Sequence, residues 1–317
     1  MANPNVGDII ATTQKNRNNE IVDNISNDNV LLRRLRDRGN WTPENGGSTL
    51  ECMVDYAENG TGKFYSGGQD SWSIPTENVI DSASYDWKFY GSFTYVTEAE
   101  RVKNSGTYAV KKLAKAKVKN QDRSMANDIA TSLYSDGTGT GGLELGGLQL
   151  LIDDDPTSAG TVGSINQVTY TFWRNKFSAS AATTSSTIQS RMKAMWLEIK
   201  RGADKPHLIL GDDDMFTYYW DSLSADQRFI KRKSGNVMDS ESLAFESAEV
   251  VYDDQCPDKR MYFVNLDHLI FAYSSGRLFV TESARKVTNA NYDVIPCFFA
   301  GNLLCSRRLS QGVIIAA

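Results

Sequence analysis

The sequence predicts an α+β fold, because three kinds of apolar periodicity follow one another along the chain. Apolar residues alternate with polar ones over 50–56 and over 85–95, a period of two that is typical of half-buried strands. From Thr107 to Tyr134 the apolar spacing changes to three, four and seven residues, which predicts one long helix with a buried face. Short apolar runs and two further amphipathic helices follow, so the remainder is predicted to be a mixed α/β region.

The first 47 residues are predicted to form an arm. Its isoleucines and leucines are scattered among polar residues at partly helical spacing, and a short helix is expected from Asn29 to Arg38, ended by Gly39. Such a thin apolar face needs another surface to lie on.

Residues 48–96 are predicted to form one long two-stranded hairpin from the two alternating runs. The Gly-rich segment between the runs predicts an elaborate tip, where Phe64, Tyr65 and Trp72 are candidate intersubunit contacts because aromatic side chains dominate interface energetics. An isolated two-stranded ribbon is marginal in water and leaves its edges open. The hairpin is therefore expected to need a partner surface, in its own chain or in a neighbour.

The long helix would extend about 40 Å at about 1.5 Å per residue, and Asp136 with Gly137 is expected to end it. Basic residues from Lys111 to Arg123 occupy its polar positions. A solvated helix face is the commoner explanation of such a charge run. The other interpretations are contact with nucleic acid and contact with acidic groups of a neighbouring molecule, and the sequence leaves these two alternatives open.

The rest of the chain is predicted to alternate short strands with helices at 188–200 and 212–222. Strands are expected at 206–210, 249–252, 261–264, 269–273, 278–280, 292–304 and 312–316.

Composition excludes several classes of protein. With 34 basic and 39 acidic residues in 317, the net charge of -5 provides no strongly cationic field for wrapping nucleic acid. The four cysteines form no C-x-x-C pair, so reduced thiols in a cytoplasmically made protein are expected. The polar stretch from Met1 to Arg17 predicts no signal peptide, and no apolar run is long enough to predict a membrane span.

Three consecutive carboxylates, Asp212 to Asp214, follow the predicted strand 206–210. Carboxylates at a strand end can bind magnesium and assist phosphoryl transfer, so a magnesium-dependent α/β enzyme using Asp212 and Asp214 is one alternative. The favoured interpretation is that Asp212 or Asp213 caps the next helix, where acids suit the positive end of the helix dipole.

The other polar motifs favour structural roles. Asp153 to Asp155 is expected to form a surface turn, and the glycines from Gly137 to Gly142 a connection, because no Gly-Lys-Ser or Gly-Lys-Thr ends them. The only histidines, His207 and His268, lie beside apolar runs and are expected to be partly buried. The sequence thus predicts a protein that is not an enzyme, with no catalytic, cofactor-binding or metal-binding residues.

Four collinear segments support a resemblance to a known family. They are Tyr134–Gly139, Gly160–Asn166, Lys205–Leu210 and Gly301–Leu303. Together with the order of arm, hairpin, long helix, mixed region and closing strands, they resemble the HK97-type major capsid protein of tailed bacteriophages. The resemblance covers nearly the whole chain.

The resemblance implies an HK97-like capsid fold. It divides the chain into an N-terminal arm (1–47), an extended loop (48–96), a peripheral domain with the spine helix (97–147), a mixed α/β axial domain (148–290) and C-terminal strands (291–317). It also implies a structural protein of the virion, assembled in the host cytoplasm as pentamers and hexamers into an icosahedral shell around the phage genome.

The same resemblance implies the partners. They are further copies of the chain, packaged double-stranded DNA without sequence specificity, and scaffold, portal and decoration proteins, with no membrane and no cofactor. An encapsulin-like nanocompartment shell, in which the same fold encloses a protein cargo, is the other alternative.

Overall fold

A computed structural model describes residues 29–57, 61–65, 67–68, 71, 79–103, 107–158, 160–180, 183–223, 243–288 and 291–316. The part of the predicted arm before residue 29 lies outside these residues. Among the described helices none is both long enough and apolar enough to cross a membrane.

The described helices include the four that the sequence predicts. Their bounds are α1 Val30–Asp37, α2 Glu98–Lys103, α3 Thr107–Ser132, α4 Gly139–Gly142, α5 Leu148–Leu151, α6 Ile188–Ile199 and α7 Asp213–Ser222, with 3-10 turns at Thr171–Trp173, Leu266–His268 and Arg308–Ser310.

The first sheet has six strands built around one long strand. They are β1 Trp41–Glu44, β4 Lys88–Thr97, β12 Leu269–Ser274, β13 Val280–Thr281, β14 Arg285–Lys286 and β15 Tyr292–Cys305. Along one edge, β15 pairs antiparallel with β4 over 292–301, and along the other it pairs with β14, β13 and β12 in turn. Strand β1 extends the sheet by a parallel pairing with β12.

The second sheet also has six strands, in the order β7-β16-β11-β8-β10-β9. They are β7 Lys176–Ser180, β8 Leu208–Gly211, β9 Leu243–Phe245, β10 Ala248–Tyr252, β11 Arg260–Val264 and β16 Gly312–Ala316. The predicted segment 148–290 contributes strands to both sheets. A single 3-10 turn separates β15 in the middle of the first sheet from β16 in the middle of the second.

Two short hairpins complete the strands. One joins β2 Thr49–Asp55 to β3 Ile80–Asp86, and the other joins β5 Thr161–Val162 to β6 Ile165–Asn166.

The predicted hairpin pairs the run 50–56 with the run 85–95, and this pairing was wrong except at residues 85 and 86. Strand β2 pairs with β3, in a register that sets Leu50 opposite Tyr85, whereas the residues after Trp87 form β4 and pair with β15. Alternation identifies the two faces of a strand but not its partner, and the chain bends at Trp87 between two strands of the same period. The hairpin proper therefore covers 49–86, shorter than the predicted 48–96.

Helix α1 lies on the body of its own chain. The Asn29 side chain caps it by accepting a hydrogen bond from the Leu32 amide at 3.1 Å, and Gly39 follows it at a φ of +77°. Leu31, Leu32 and Leu35 are completely buried. The thin apolar face of this part of the predicted arm thus finds its covering surface within the subunit.

Two apolar cores lie on the two faces of the second sheet, and the larger of them also contains the buried residues of the first sheet. The larger joins the first sheet to α1, α3 and the hairpin base, and it contains the stacked rings of Phe271, Phe279 and Phe299. The smaller lies between the second sheet and helices α6 and α7. Helix α6 forms because its apolar residues recur every three or four positions and lie on one face. The buried residues of α6 are Ile188, Met192, Met195, Trp196 and Ile199.

Candidate assembly surfaces

One face of the β4–β15 pair exposes a row of aromatic rings. On β4, Phe89, Phe93 and Tyr95 are 75 %, 61 % and 57 % exposed, while Thr94 and Val96 on the other face are buried. The buried face carries α3. The exposed face is the side away from this helix, because side chains alternate between the two faces of a strand.

Helix α3 is fixed to the buried face by packing and by hydrogen bonds. Val118 packs with Ile295 of β15, and the Gln121 side-chain amide donates to the carbonyl oxygen of Ser92 at 2.8 Å. The helix therefore supports this strand pair from behind, and its Lys117 ammonium also lies 5.1 Å from the centroid of the Tyr95 ring.

Ring contacts hold the exposed side chains together. Phe93 meets Phe298 edge to face with a 5.8 Å centroid separation, and Tyr95 meets Tyr292 in the same way at 5.9 Å. The guanidinium of Arg277 lies 5.1 Å from the centroid of the Phe298 ring. We call the residues Phe89, Phe93, Tyr95, Tyr292 and Phe298 the aromatic face. A contiguous apolar patch of this kind is typical of a protein–protein contact, unlike single exposed apolar residues.

The hairpin tip places two of the three predicted contact residues in solvent. Phe64 is fully exposed and Tyr65 is 66 % exposed, and Met53 and Ile80 are exposed nearer the base. Trp72 lies outside the described residues. The predicted contact role of all three residues stays a prediction.

The base of the hairpin is anchored within the subunit. Leu50, Cys52, Val54, Ala83 and Tyr85 belong to the larger core. The Tyr85 hydroxyl also donates to the carbonyl oxygen of Cys305 at 3.1 Å. The hairpin is thus buried at its base and open at its tip.

The basic face of α3 is exposed over its described part. Lys115, Lys119 and Arg123 succeed one another every four residues and point to solvent. Lys117, in contrast, forms an ion pair with Glu100 of α2 at 2.7 Å, and this hydrogen-bonded ammonium lowers the pKa of Glu100 to about 2. On the part of this face whose side chains are described, three exposed cations remain.

The three carboxylates from Asp212 to Asp214 lie within 4.8 Å of one another, but the buried one is a helix cap. Asp212 accepts hydrogen bonds from the amide of Met215 at 2.9 Å and from the amide of Lys259. Burial raises the pKa of Asp212. Asp213 and Asp214 are exposed in the first turn of α7. The predicted capping role is confirmed, and it accounts for the buried carboxylate without a metal ion.

The remaining motifs also have structural roles. Both histidines are partly buried as predicted: His207 lies 3.7 Å from a carboxylate oxygen of Asp267, and His268 lies 3.3 Å from one of Asp204. The pKa of His207 is lowered, chiefly by burial.

Both predicted turns are present. At the predicted acidic turn, Asp154 pairs with Arg260 and Asp155 accepts from the amide of Thr157. The glycine connection is a tight turn with positive φ at Thr140, Gly141 and Gly142, and the Lys88 ammonium donates to the carbonyl oxygen of Gly142 at 2.6 Å.

The aromatic face was not identified from the sequence as a surface. The alternation did place Phe89, Phe93 and Tyr95 on one side of a strand, but it assigned that strand to the hairpin. The run 292–304 is long enough to pair with the whole of this strand, but the sequence pattern of the two runs does not specify which partner each one takes.

No family model and no curated protein matches the chain. Similar solved structures exist. One, from the capsid asymmetric unit of cyanophage A-1(L), is 18 % identical over 89 % of this chain and 92 % of that one, with a TM-score of 0.66. A second, from the capsid of Myoviridae phage XM1, is 11 % identical over 88 % and 90 %, with a TM-score of 0.55.

The chain has the HK97-type capsid fold. The predicted fold class, α+β of HK97 type, is confirmed. The holo-SrpI encapsulin complex from Synechococcus elongatus PCC 7942 is also similar, at 8 % identity over 87 % of this chain and 84 % of that one, with a TM-score of 0.54. The HK97-type fold is therefore shared by shells of both kinds, and the TM-score to the cyanophage capsid is the higher.

Proposed function

We propose that this chain is a major capsid subunit that assembles with copies of itself into an icosahedral shell enclosing a phage genome. The observation that carries the proposal is the aromatic face on an HK97-type fold. Burying a side chain such as Phe contributes about 1.5–3 kcal/mol, so several rings covered together supply a substantial part of a subunit contact. Repetition of such contacts around a closed lattice makes the shell cooperative.

The fold suggests how copies of the chain would associate. The hairpin 49–86 reaches across to an adjacent subunit, where Phe64, Tyr65 and Trp72 are its contacts. Pentamers and hexamers form around the predicted axial domain, 148–290. The arm (1–47), peripheral domain (97–147) and closing strands (291–317) complete the proposed division, in which the hairpin 49–86 replaces the predicted extended loop 48–96.

The further partners belong to the same proposal. The shell encloses double-stranded DNA without sequence specificity, and scaffold, portal and decoration proteins are the other candidate partners. The protein resides in the virion after assembly in the host cytoplasm. It acts as a structural protein and not as an enzyme, consistent with the capping role of Asp212.

Negative-stain electron microscopy of the concentrated protein tests the proposal. The wild-type chain should form closed shells, whereas Phe89→Ser combined with Phe93→Ser should leave folded, unassembled subunits. The matched control is Val102→Ser, which removes an apolar side chain that is 68 % exposed on α2 and is not one of the residues of the aromatic face. Shells of normal yield from the double variant would contradict the role of the aromatic face.

The similarity to an encapsulin supports a second candidate, a compartment around a protein cargo. Shells purified from the native source distinguish the two candidates. Nuclease-protected double-stranded DNA inside the particles supports the capsid, and a co-purifying enclosed protein without DNA supports the compartment.

A further inference from the structure

The structure contains an arginine whose side chain is completely buried. Arg308, in the 3-10 turn between β15 and β16, is completely inaccessible to solvent. A buried guanidinium must be satisfied by hydrogen bonds, because leaving it without acceptors costs several kcal/mol. Its acceptors therefore show which parts of the chain it holds.

The four hydrogen-bond acceptors of the Arg308 guanidinium lie on residues 151–175. Its Nε donates to the carbonyl oxygen of Leu151 at 2.7 Å, and one terminal nitrogen donates to the Gln167 side chain at 2.7 Å and to the Trp173 carbonyl at 3.1 Å. The other terminal nitrogen donates to the Asn175 side chain at 3.1 Å. The planar guanidinium thus binds four residues of one segment, which a Lys ammonium could not reproduce.

The acceptors are fixed in their turn by Asp153. The Gln167 amide donates to its carboxylate at 2.6 Å, and the Asn175 amide donates to its carbonyl oxygen at 2.7 Å. Gln167 and Asn175 are buried like the arginine. Each polar group of this network thereby orients the next, so the segment 151–175 is held rigidly against the turn between the two sheets.

The same segment contacts the base of the hairpin. The β5–β6 turn carries Gly163, whose carbonyl oxygen accepts a hydrogen bond from the amide of Ser84 in β3 at 3.0 Å. The turn is tied back to the network because the Trp173 indole donates to the carbonyl oxygen of Val162 at 2.8 Å. Directly after the neighbouring strand β2, Tyr56 stacks on Phe172 with a 4.9 Å centroid separation.

The contact at Gly163 has no room for a side chain. A Cβ atom there would lie 2.9 Å from the Cβ of Ala83 and 3.0 Å from the ring of Tyr85, and its φ of +60° disfavours other residues. The β5–β6 turn and β3 are therefore in direct backbone contact.

We propose that Arg308 is a positioning residue for assembly: through the segment 151–175 and the Gly163 turn it sets the direction in which the hairpin 49–86 leaves the subunit. The inference rests on the proposed function, since the direction matters for a partner only if the hairpin reaches one. It couples the junction between the two sheets to the element that contacts the neighbour.

Hydrogen exchange on unassembled full-length subunits tests this coupling. Arg308→Lys keeps the charge but loses the planar guanidinium, and Gly163→Ala keeps the network but obstructs the contact. Both should raise amide exchange of residues 80–86 at least tenfold and leave the second-sheet strands β8 and β11 at the wild-type rate. The matched control, Ile209→Val, shortens a buried side chain of the second sheet and should leave 80–86 unchanged.

Two results would overturn the inference. One is unchanged exchange at 80–86 in either variant, Arg308→Lys or Gly163→Ala. The other is a uniform rise across both sheets in Arg308→Lys, which would make the arginine a general stabiliser. The exchange measurement uses unassembled subunits. Its failure can therefore be distinguished from failure of the proposed function, which would appear as a wild-type chain that forms no shells.

Discussion

At the scale of single residues, the hydrogen bonds of Asp212 distinguish a helix cap from a metal site, the two roles that three consecutive carboxylates predict. Its oxygens accept from the amides of Met215 and Lys259, so the carboxylate is used at the start of α7. Three carboxylates in a row predict a metal site as well as a cap. The sequence could favour the cap because an amphipathic helix follows, but the second amide, 47 residues away along the chain, depends on the folded structure.

Replacing Asp212 by Ala should lower the free energy of unfolding by about 1 kcal/mol or more, because an N-cap is lost. Replacing it by Asn should cost much less, since Asn caps about as well. The measurement is chemical denaturation, with Asp214→Asn as the exposed control. A rise of several degrees in the wild-type melting temperature on adding magnesium, absent from Asp212→Asn, would support the metal site instead.

Gly301 lies where β15 is paired on both edges and has no space for a side chain. At Gly301, where β15 passes from its pairing with β4 to its pairing with β12, a Cβ atom would lie 2.5 Å from the carbonyl oxygen of Ala272. The sequence contains 24 glycines, and nothing in it separates this one from glycines in open loops.

Gly301→Ala should destabilise the subunit by about 1–3 kcal/mol or more, because the methyl group overlaps backbone that cannot move without breaking the sheet. Gly276→Ala is the matched control, as a Cβ atom there meets nothing within 4 Å. Thermal unfolding of the two variants compares them directly, and equal melting temperatures would show that the sheet accommodates the methyl group.

At the scale of elements, local periodicity identified the strands and helices but not all of their partners. Helices α3, α6 and α7 were predicted within two residues at each end, because each has a clear apolar face or cap. The pairing of β4 with β15 joins residues about 200 positions apart, and no local pattern encodes such a contact. The aromatic face, as the product of that pairing, could not be predicted before the pairing was known.

The link between α2 and α3 should depend on pH in the acid range. Its ion pair lowers the pKa of Glu100 from 4.5 to about 2, so its contribution to stability is present above pH 4.5 and is lost as the pH falls toward 2. The stability difference between wild type and Glu100→Gln should therefore shrink between pH 5 and pH 3. Denaturation midpoints at the two pH values measure it, and a constant difference would mean that the pair does not form in solution.

At the scale of the whole molecule, charge is unevenly distributed. The chain carries a net charge of -5, yet α3 exposes Lys115, Lys119 and Arg123 in a row. A polyanion is attracted to such a row although the rest of the molecule repels it. Whether these three cations contact DNA or acidic groups of a neighbouring subunit can be tested by experiment.

Replacing all three cations by Glu should weaken DNA binding by the purified subunit and lower the slope of log affinity against log salt by roughly two to three, about 0.9 for each lost phosphate contact. The matched control reverses three exposed cations elsewhere, Lys200, Arg201 and Lys259, which lie far from α3 in the sequence. An unchanged slope with failed assembly would identify acidic groups of a neighbouring subunit as the partners of this face.

The position of β15 and β16 has a consequence for synthesis on the ribosome. Each is an internal strand of its sheet, so neither sheet can close until residues 292–316 have been translated. At roughly 5–20 residues per second, the nascent polypeptide waits about 15–60 s before residue 292 is made. Through that time β4 has no strand beside it, and polysome-bound chains cannot present the surface by which finished molecules would recognise one another.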